Sequence, residues 1–354
     1  MQRLVLVGGG YGNVRVMNHL FSDGLPNDVE VILIDREPYH CMKTEYYALA
    51  AGTISDKEVR VSFPNHPQLK IVNAEVTKIN LAEKKVELKD ADDVSYDTLV
   101  VGLGCEDKYH GVPGAPEHTL SIQSIRKVRH TAQELHCMPS GSTVSIVGGG
   151  LSGIEVASEL CESRKDLNIR LYDRGERILS TFPERVSHYI QEWFENNGVT
   201  VINKSNITKV EPGYLYNNDE ANATNAVIWT AGIQAHHLVQ ELDIEKGAGG
   251  RAIVTEHHYL PDHPEVFMVG DCAYYDQAPS AQLSEAQGDQ IYKVLKARWN
   301  DQPEPKLEPI KLKGMVGSLG KKKGFAEFMG KPLTGRVARL LKSGILWMYR
   351  YHNG

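Results

Sequence analysis

The chain has 354 residues, 41% hydrophobic and 24% charged, enough for about two domains with sizeable cores and ordinary for a soluble globular protein. Its five cysteines (Cys41, Cys105, Cys137, Cys161, Cys272) form no C-x-x-C pair, which argues against a disulfide framework or a zinc site and suits a reducing compartment. The net charge of −6 is uneven: residues 306–354 hold 11 Lys and Arg against 2 Asp and Glu, a local +9 that leaves −15 elsewhere, so a nucleic acid or an anionic membrane is expected beside the tail.

Met1-Gln-Arg-Leu-Val-Leu-Val lacks the long apolar core and cleavage site of a signal peptide, and no run of about 18 apolar residues could span a bilayer. The expectation is an intracellular protein whose membrane contact is peripheral. Residues 3–7 read as a buried strand. Gly8-Gly-Gly10-Tyr-Gly12-Asn13 follows, then a helix through about Leu20. This is a dinucleotide fingerprint of the G-x-G-x-x-G type with Asn13 at its third glycine position. The Asn13 side chain should push the helix away from the strand. Val29–Asp35 is the next strand, and it ends in Asp35, 27 residues after Gly8. Residues 70–90 alternate and predict an antiparallel ribbon. Gly111-Val-Pro-Gly-Ala-Pro-Glu117 is a turn-rich linker.

Val144–Val147, Gly148-Gly-Gly150-Leu-Ser-Gly153 and Ile154-Glu155 then repeat the strand, glycine turn and helix start. Here the fingerprint is complete. Gly148 turns the chain, Gly150 leaves room for a pyrophosphate, Gly153 lets helix and strand pack, and the helix N-terminus favours the diphosphate charge. Ile169–Asp173 ends in an acid 25 residues past Gly148, near the ~20 expected of a ribose-binding carboxylate. A helix is predicted over 183–198. The repeat extends to Tyr96–Gly104 and Asn225–Gly232, so a whole βαβ dinucleotide unit is used twice, and redox chemistry between two cofactors becomes the leading idea.

Glu265-Val-Phe-Met-Val-Gly270-Asp271 delivers a Gly-Asp at the carboxyl end of a strand, where Asp271 could bind a ribityl chain or merely cap a helix. A helix opens near Pro279 and runs to about Trp299, with Gln282 and Gln287 near its start. Residues 332–352 look amphipathic: Val337, Leu340, Leu341, Gly344, Ile345 and Met348 share one face, with Arg336, Arg339, Lys342 and Arg350 mostly off it. A basic amphipathic helix with aromatics fits an anionic lipid surface, or else a contact with the protein body or a second copy. Nucleic acid is not expected.

These motifs resemble the two-dinucleotide-domain flavoproteins, and over the whole length the type II NADH:quinone oxidoreductases. The resemblance rests on Gly8-Gly-Gly-Tyr-Gly12, Glu37-Pro-Tyr-His40, Gly148–Glu155, Trp229-Thr-Ala-Gly232-Ile, Val269–Ala273, Ala281-Gln282, Gln287-Gly288 and Gly317–Gly320. It implies an α/β fold with two Rossmann-like domains, for FAD and for NAD(P)H, and a C-terminal amphipathic membrane-docking region. The corresponding boundaries are 1–112 and 235–308 for FAD, 113–234 for NADH and 309–354 for docking. It implies non-proton-pumping hydride transfer from NADH to FAD, and then two electrons to a menaquinone-like membrane quinone, on the cytoplasmic face of the membrane. Gly8, Gly10, Gly12, Asp35, Gly270 and Asp271 would hold FAD, and Gly148, Gly150, Gly153 and Asp173 would hold NADH. Gly232, Ala281 and Gln282 join the cofactor-binding set. Glu155 would sit by the nicotinamide and flavin, and Gln282 and Gln287 at the quinone. Ser284 and Ala286 depart from the quinone motif A-Q-x-A-x-Q-Q, so a flavin-dependent NAD(P)H reductase with another acceptor, or a non-catalytic nucleotide-binding sensor at the membrane, stand as alternatives. A homodimer is possible.

Overall fold

The structure, a computed structural model, describes residues 1–328 and 330–353. Two parallel sheets form the frame. Strand β1 (Gln2–Val7) turns into helix α1 (Tyr11–Asp23) and returns as β2 (Val29–Asp35), paired in register from Gln2 opposite Val29 to Val7 opposite Ile34. A short helix α2 (Tyr46–Ala50) follows. Strand β3 (Leu69–Asn73) adds outside β2, and β4 (Thr98–Val101) adds on the other side of β1.

The second sheet repeats the pattern. Strand β5 (Thr143–Val147) leads into α3 (Leu151–Ser163), then β6 (Asn168–Tyr172), β7 (Val199–Ile202) and β8 (Ala226–Trp229), in the order β7-β6-β5-β8 and all parallel. The chain then goes back. Strands β9 (Tyr259–Leu260) and β10 (His263–Met268) complete the first sheet as β9-β10-β4-β1-β2-β3. Leu4–Val7, Val31–Ile34 and Leu99–Val101 are closed to solvent, as expected of parallel strands covered on both faces. Helix α4 (Ala281–Trp299) lies on α1. A three-stranded antiparallel sheet of β11 (Gly314–Leu319), β12 (Lys323–Phe328) and β13 (Lys331–Gly335) carries the last helix, α5 (Arg336–Asn353).

Two expectations need correction. The first part of the 70–90 stretch is parallel: Leu69–Asn73 extends the main sheet, since its backbone pairs with Val31–Asp35, and the antiparallel ribbon is Val76–Asn80 with Lys85–Leu88. The tail helix begins at Arg336, because Pro332 lies in β13 opposite Glu327, with Gly335 (φ 81°) ending the strand.

Candidate functional site

The two glycine turns are built alike. Gly8 and Gly148 take positive φ (87° and 110°), each donating its N–H to the neighbouring strand, at Ile34 and Tyr172. Asp35 Oδ2 accepts from Gly9 N at 2.6 Å and its Oδ1 from Glu37 N at 2.8 Å. Asp173 does the same with Gly149 N (2.8 Å) and Gly175 N (2.7 Å). Helices α1 and α3 start at Gly10 and Gly150 without a side-chain cap, and a Cβ at Gly150 would stand in open space. Uncapped N–H groups facing room suit a diphosphate.

Asn13 does not displace its helix. Its Nδ2 donates to Gly8 O (2.7 Å) and Val7 O (3.1 Å), tying the first turn of α1 to β1. In the second half those two carbonyl oxygens, of Val147 and Gly148, lie 2.8 and 3.0 Å from Thr230 Oγ1 at the end of the opposite strand, whose one hydroxyl proton can go to either. The partner positions swap size. Thr230 faces Gly153, whose Cβ would lie 2.8 Å from its Oγ1, while Asn13 faces Gly102, whose Cβ would lie 2.7 Å from its Nδ2. The departure at Asn13 is therefore balanced by a glycine at the end of β4.

A cavity of about 470 Å³ opens from the first turn. Gly8, Gly10, Gly12, Asp35 and Ala74–Val76 line it, as do Gly270, Asp271 and Ala281, and it reaches Leu151, Ser152 and Glu155 of α3. Lys43 also lines it, a residue that no motif singled out. Lys43 Nζ is 3.0 Å from Cys105 Sγ and 3.8 Å from Asp271 Oδ2, and the Cys105 thiol donates to Asp271 at 3.1 Å. Burial pushes that thiol up to about 12. Cys41 and Cys272 are pushed up to about 11, also by burial, and all five cysteines are unpaired.

Glu155 lies buried in the second turn of α3. Its Oε1 accepts from Ser318 N of β11 at 2.8 Å and makes a close ion pair with Lys342 Nζ of α5. Lys342 also lines the cavity, as does Val316. Burial raises the Glu155 carboxyl, and Lys342 pulls it back. Gln282 and Gln287, expected at the acceptor, are not part of this wall. Gln287 Oε1 accepts from Gly270 N at 2.7 Å, bracing the Gly-Asp turn, and Gln282 Oε1 accepts from Lys313 N at 2.7 Å. Ser284 and Ala281 of the same helix do reach the cavity. Gly148, Gly150, Gly153, Asp173 and Gly232 also lie outside its wall. Finally, α5 touches the first glycine turn: Tyr349 Oη is 2.9 Å from His40 Nε2, and His40 Nδ1 is 2.8 Å from Gly9 O. Burial lowers His40 to about 4. The neutral ring therefore donates from Nδ1 and accepts the tyrosine hydroxyl.

A sequence profile of the pyridine nucleotide-disulphide oxidoreductases matches residues 2–288. The chain belongs to this family. It is 57% identical to the NADH dehydrogenase-like protein YutJ of Bacillus subtilis over the full length of both. It is 27% identical to a type II NADH:quinone oxidoreductase of Staphylococcus saprophyticus, covering 97% of this chain and 94% of that one. Its fold matches an NDH2 of Plasmodium falciparum solved with NADH (TM-score 0.86, 16% identity, 99% and 96% covered). It also matches the sulfide:quinone oxidoreductase of Aquifex aeolicus (0.80, 17%, 100% and 92%). The two Rossmann-like sheets are thus those of the family, and the resemblance to the type II enzymes holds across the whole chain.

The tail is turned inside out. Val337, Leu340, Ile345, Trp347, Met348 and Tyr351 are 45–72% exposed. Of the basic residues expected to meet lipid, Lys342 is buried on Glu155, Arg339 donates to Ser318 Oγ and Lys321 O, and Arg350 donates to Glu58 O. Arg336 alone of the four is exposed, joined by Lys321, Lys322, Lys323 and Lys331 of the adjoining hairpins. Among the described residues, no helix is long and apolar enough to cross a membrane.

Proposed function

We propose that this chain is an FAD-dependent NADH dehydrogenase that gives its electrons to a quinone at an anionic membrane surface. The observation that carries the reading is one cavity shared by the first glycine turn and the start of α3. A group laid along it from Gly10 would meet whatever the second turn presents beside Glu155. FAD, when bound, supplies the two-electron chemistry between donor and acceptor. The residues fit it: Gly8 and Gly12 leave no room for a Cβ, which would lie 2.6 Å from Gly102 O and 2.3 Å from Val269 Cγ2. Gly10 faces the cavity, and Asp271 offers a carboxylate to a polyol. The second turn would hold the diphosphate of NADH, and Asp173 would disfavour a 2′-phosphate. The type II relatives support a quinone as acceptor. Five free cysteines with no pair among them speak against sulfide or disulfide. The exposed apolar face of α5, ringed by lysines, suits an interfacial helix; anionic lipid adds ~1 kcal/mol per nearby Lys or Arg.

The purified protein should be yellow, bleach with NADH and recover its colour with menadione. A colourless protein that cannot be reconstituted with flavin would refute the flavoprotein reading. Bleaching without recovery by any quinone would refute the acceptor.

A further inference from the structure

Helix α5 brings a single ammonium, Lys342, into a buried place already held by two carboxyl groups. Glu155 has the better hold on it. Its Oε1 forms the close pair and also accepts the Ser318 N–H. Glu45, ahead of α2, stands on the other side with Oε1 3.9 Å from Lys342 Nζ, and accepts a hydrogen bond from Tyr47 Oη at 3.2 Å. Both acids and Lys342 are nearly closed to solvent, at 6%, 5% and 5% exposure. Tyr47 floors the group: its ring lies 4.3 Å from Lys342 Nζ and its hydroxyl 3.0 Å from Ser318 Oγ. The charged groups facing this place are Glu159 of α3, also buried, and Arg339 of α5, which reaches Ser318 Oγ at 3.3 Å. With every group ionised, three carboxylates would confront two cations.

Burying a second carboxylate against one ammonium is unfavourable unless it is fully hydrogen-bonded. Glu45 is the less supported of the pair: it accepts from the Tyr47 hydroxyl and stands 3.9 Å from the ammonium that Glu155 holds closely. Burial and the Glu155 charge both push its carboxyl up, against the pull of Lys342. Glu45 lies behind the cavity wall, and Lys342 and Glu155 are in it. Lys342 thus stands between Glu45, behind the wall, and Glu155, in it.

We propose that Glu45 is the proton reserve of the acceptor half-reaction, feeding the cavity through Lys342 and Glu155. This rests on the quinone reading above. The balance is simple. NADH gives a hydride, which is two electrons and one proton, and becomes NAD⁺. A quinone becomes a quinol by taking two electrons and two protons. One further proton is needed per turnover. A Lys342 N–H bond breaks and its proton passes by way of the Glu155 carboxylate to the quinone, where a quinol O–H bond forms; the Glu45 O–H bond then breaks to restore the ammonium, and Glu45 is left as a carboxylate that solvent reprotonates. An acceptor of electrons alone, such as ferricyanide, makes no such demand.

The test is the isosteric Glu45→Gln, with Glu45→Asp as the conservative control. In wild-type protein at neutral pH, infrared difference spectroscopy should show a protonated-carboxyl C=O band that Glu45→Gln removes. The ratio of menadione to ferricyanide reduction should fall about tenfold or more in Glu45→Gln, more steeply as pH rises, while Glu45→Asp keeps much of it. An unchanged ratio and pH profile, or a band that survives the substitution, overturns the proposal. If wild-type protein fails to reduce menadione, the acceptor reading falls, and the infrared band alone decides whether Glu45 holds a proton.

Discussion

The exchange of partners between the two glycine turns makes a quantitative prediction. Replacing Asn13→Gly strips Gly8 O of the donor at 2.7 Å, a buried unsatisfied carbonyl costing about 1–3 kcal/mol. Glycine inside a helix costs roughly a further 0.5–1 kcal/mol. The single variant should lose about 2–4 kcal/mol. Replacing Gly102→Thr instead drives a Cβ to 2.7 Å from Asn13 Nδ2 and 3.1 Å from Val269 Cγ1, an overpacking of about 1–3 kcal/mol. Combined, the two substitutions recreate the second half's arrangement, in which Thr230 Oγ1 lies within reach of both carbonyls beside Gly153. The double variant should recover at least about 2 kcal/mol relative to the sum. Thermal unfolding followed by flavin release reads this. At roughly 2–4 °C per kcal/mol for a domain of this size, the Asn13→Gly variant should melt roughly 4–16 °C lower and the double variant close to wild type. Additivity within about 0.5 kcal/mol would refute the idea that the positions compensate one another.

Three further outcomes are expected. Gly153→Ala places a Cβ 1.9 Å from Gly148 O, so α3 must shift; the KM for NADH should rise about tenfold or more with flavin content unchanged, and an unaltered KM would contradict the second turn as the NADH clamp. Asp173→Ala removes the carboxylate braced by Gly149 and Gly175; both nucleotides should bind less well, but NADPH should lose less, narrowing the preference about tenfold, which paired KM measurements check. The combined Leu340→Glu and Trp347→Glu variant alters side chains 72% and 67% exposed. It should stay folded yet lose about 3 kcal/mol of binding to anionic vesicles, over a hundredfold in cosedimentation; undiminished cosedimentation would remove α5 from the membrane contact.

Much of the frame was readable from local pattern. Each glycine turn, its strand and its closing acid lie within some thirty residues, so spacing alone locates Gly8, Gly148, Asp35 and Asp173. The triad could not be read that way. Lys342 and Glu155 are 187 positions apart, and helical periodicity rightly sets Lys342 apart from the apolar face without saying that the opposite face is the buried one. The Asn13 substitution was visible, but its remedy at Gly102 belongs to a strand whose pairing with β1 is a tertiary fact. For Gln287 the motif fixed the position and left the direction of its amide open. Its Oε1 turns to the Gly270 N–H.

The hydrogen bonds from Tyr349 through His40 to Gly9 give the far end of the polypeptide a practical weight. A substitution at Tyr349 would be felt at the first glycine turn through His40, 309 positions earlier in the chain.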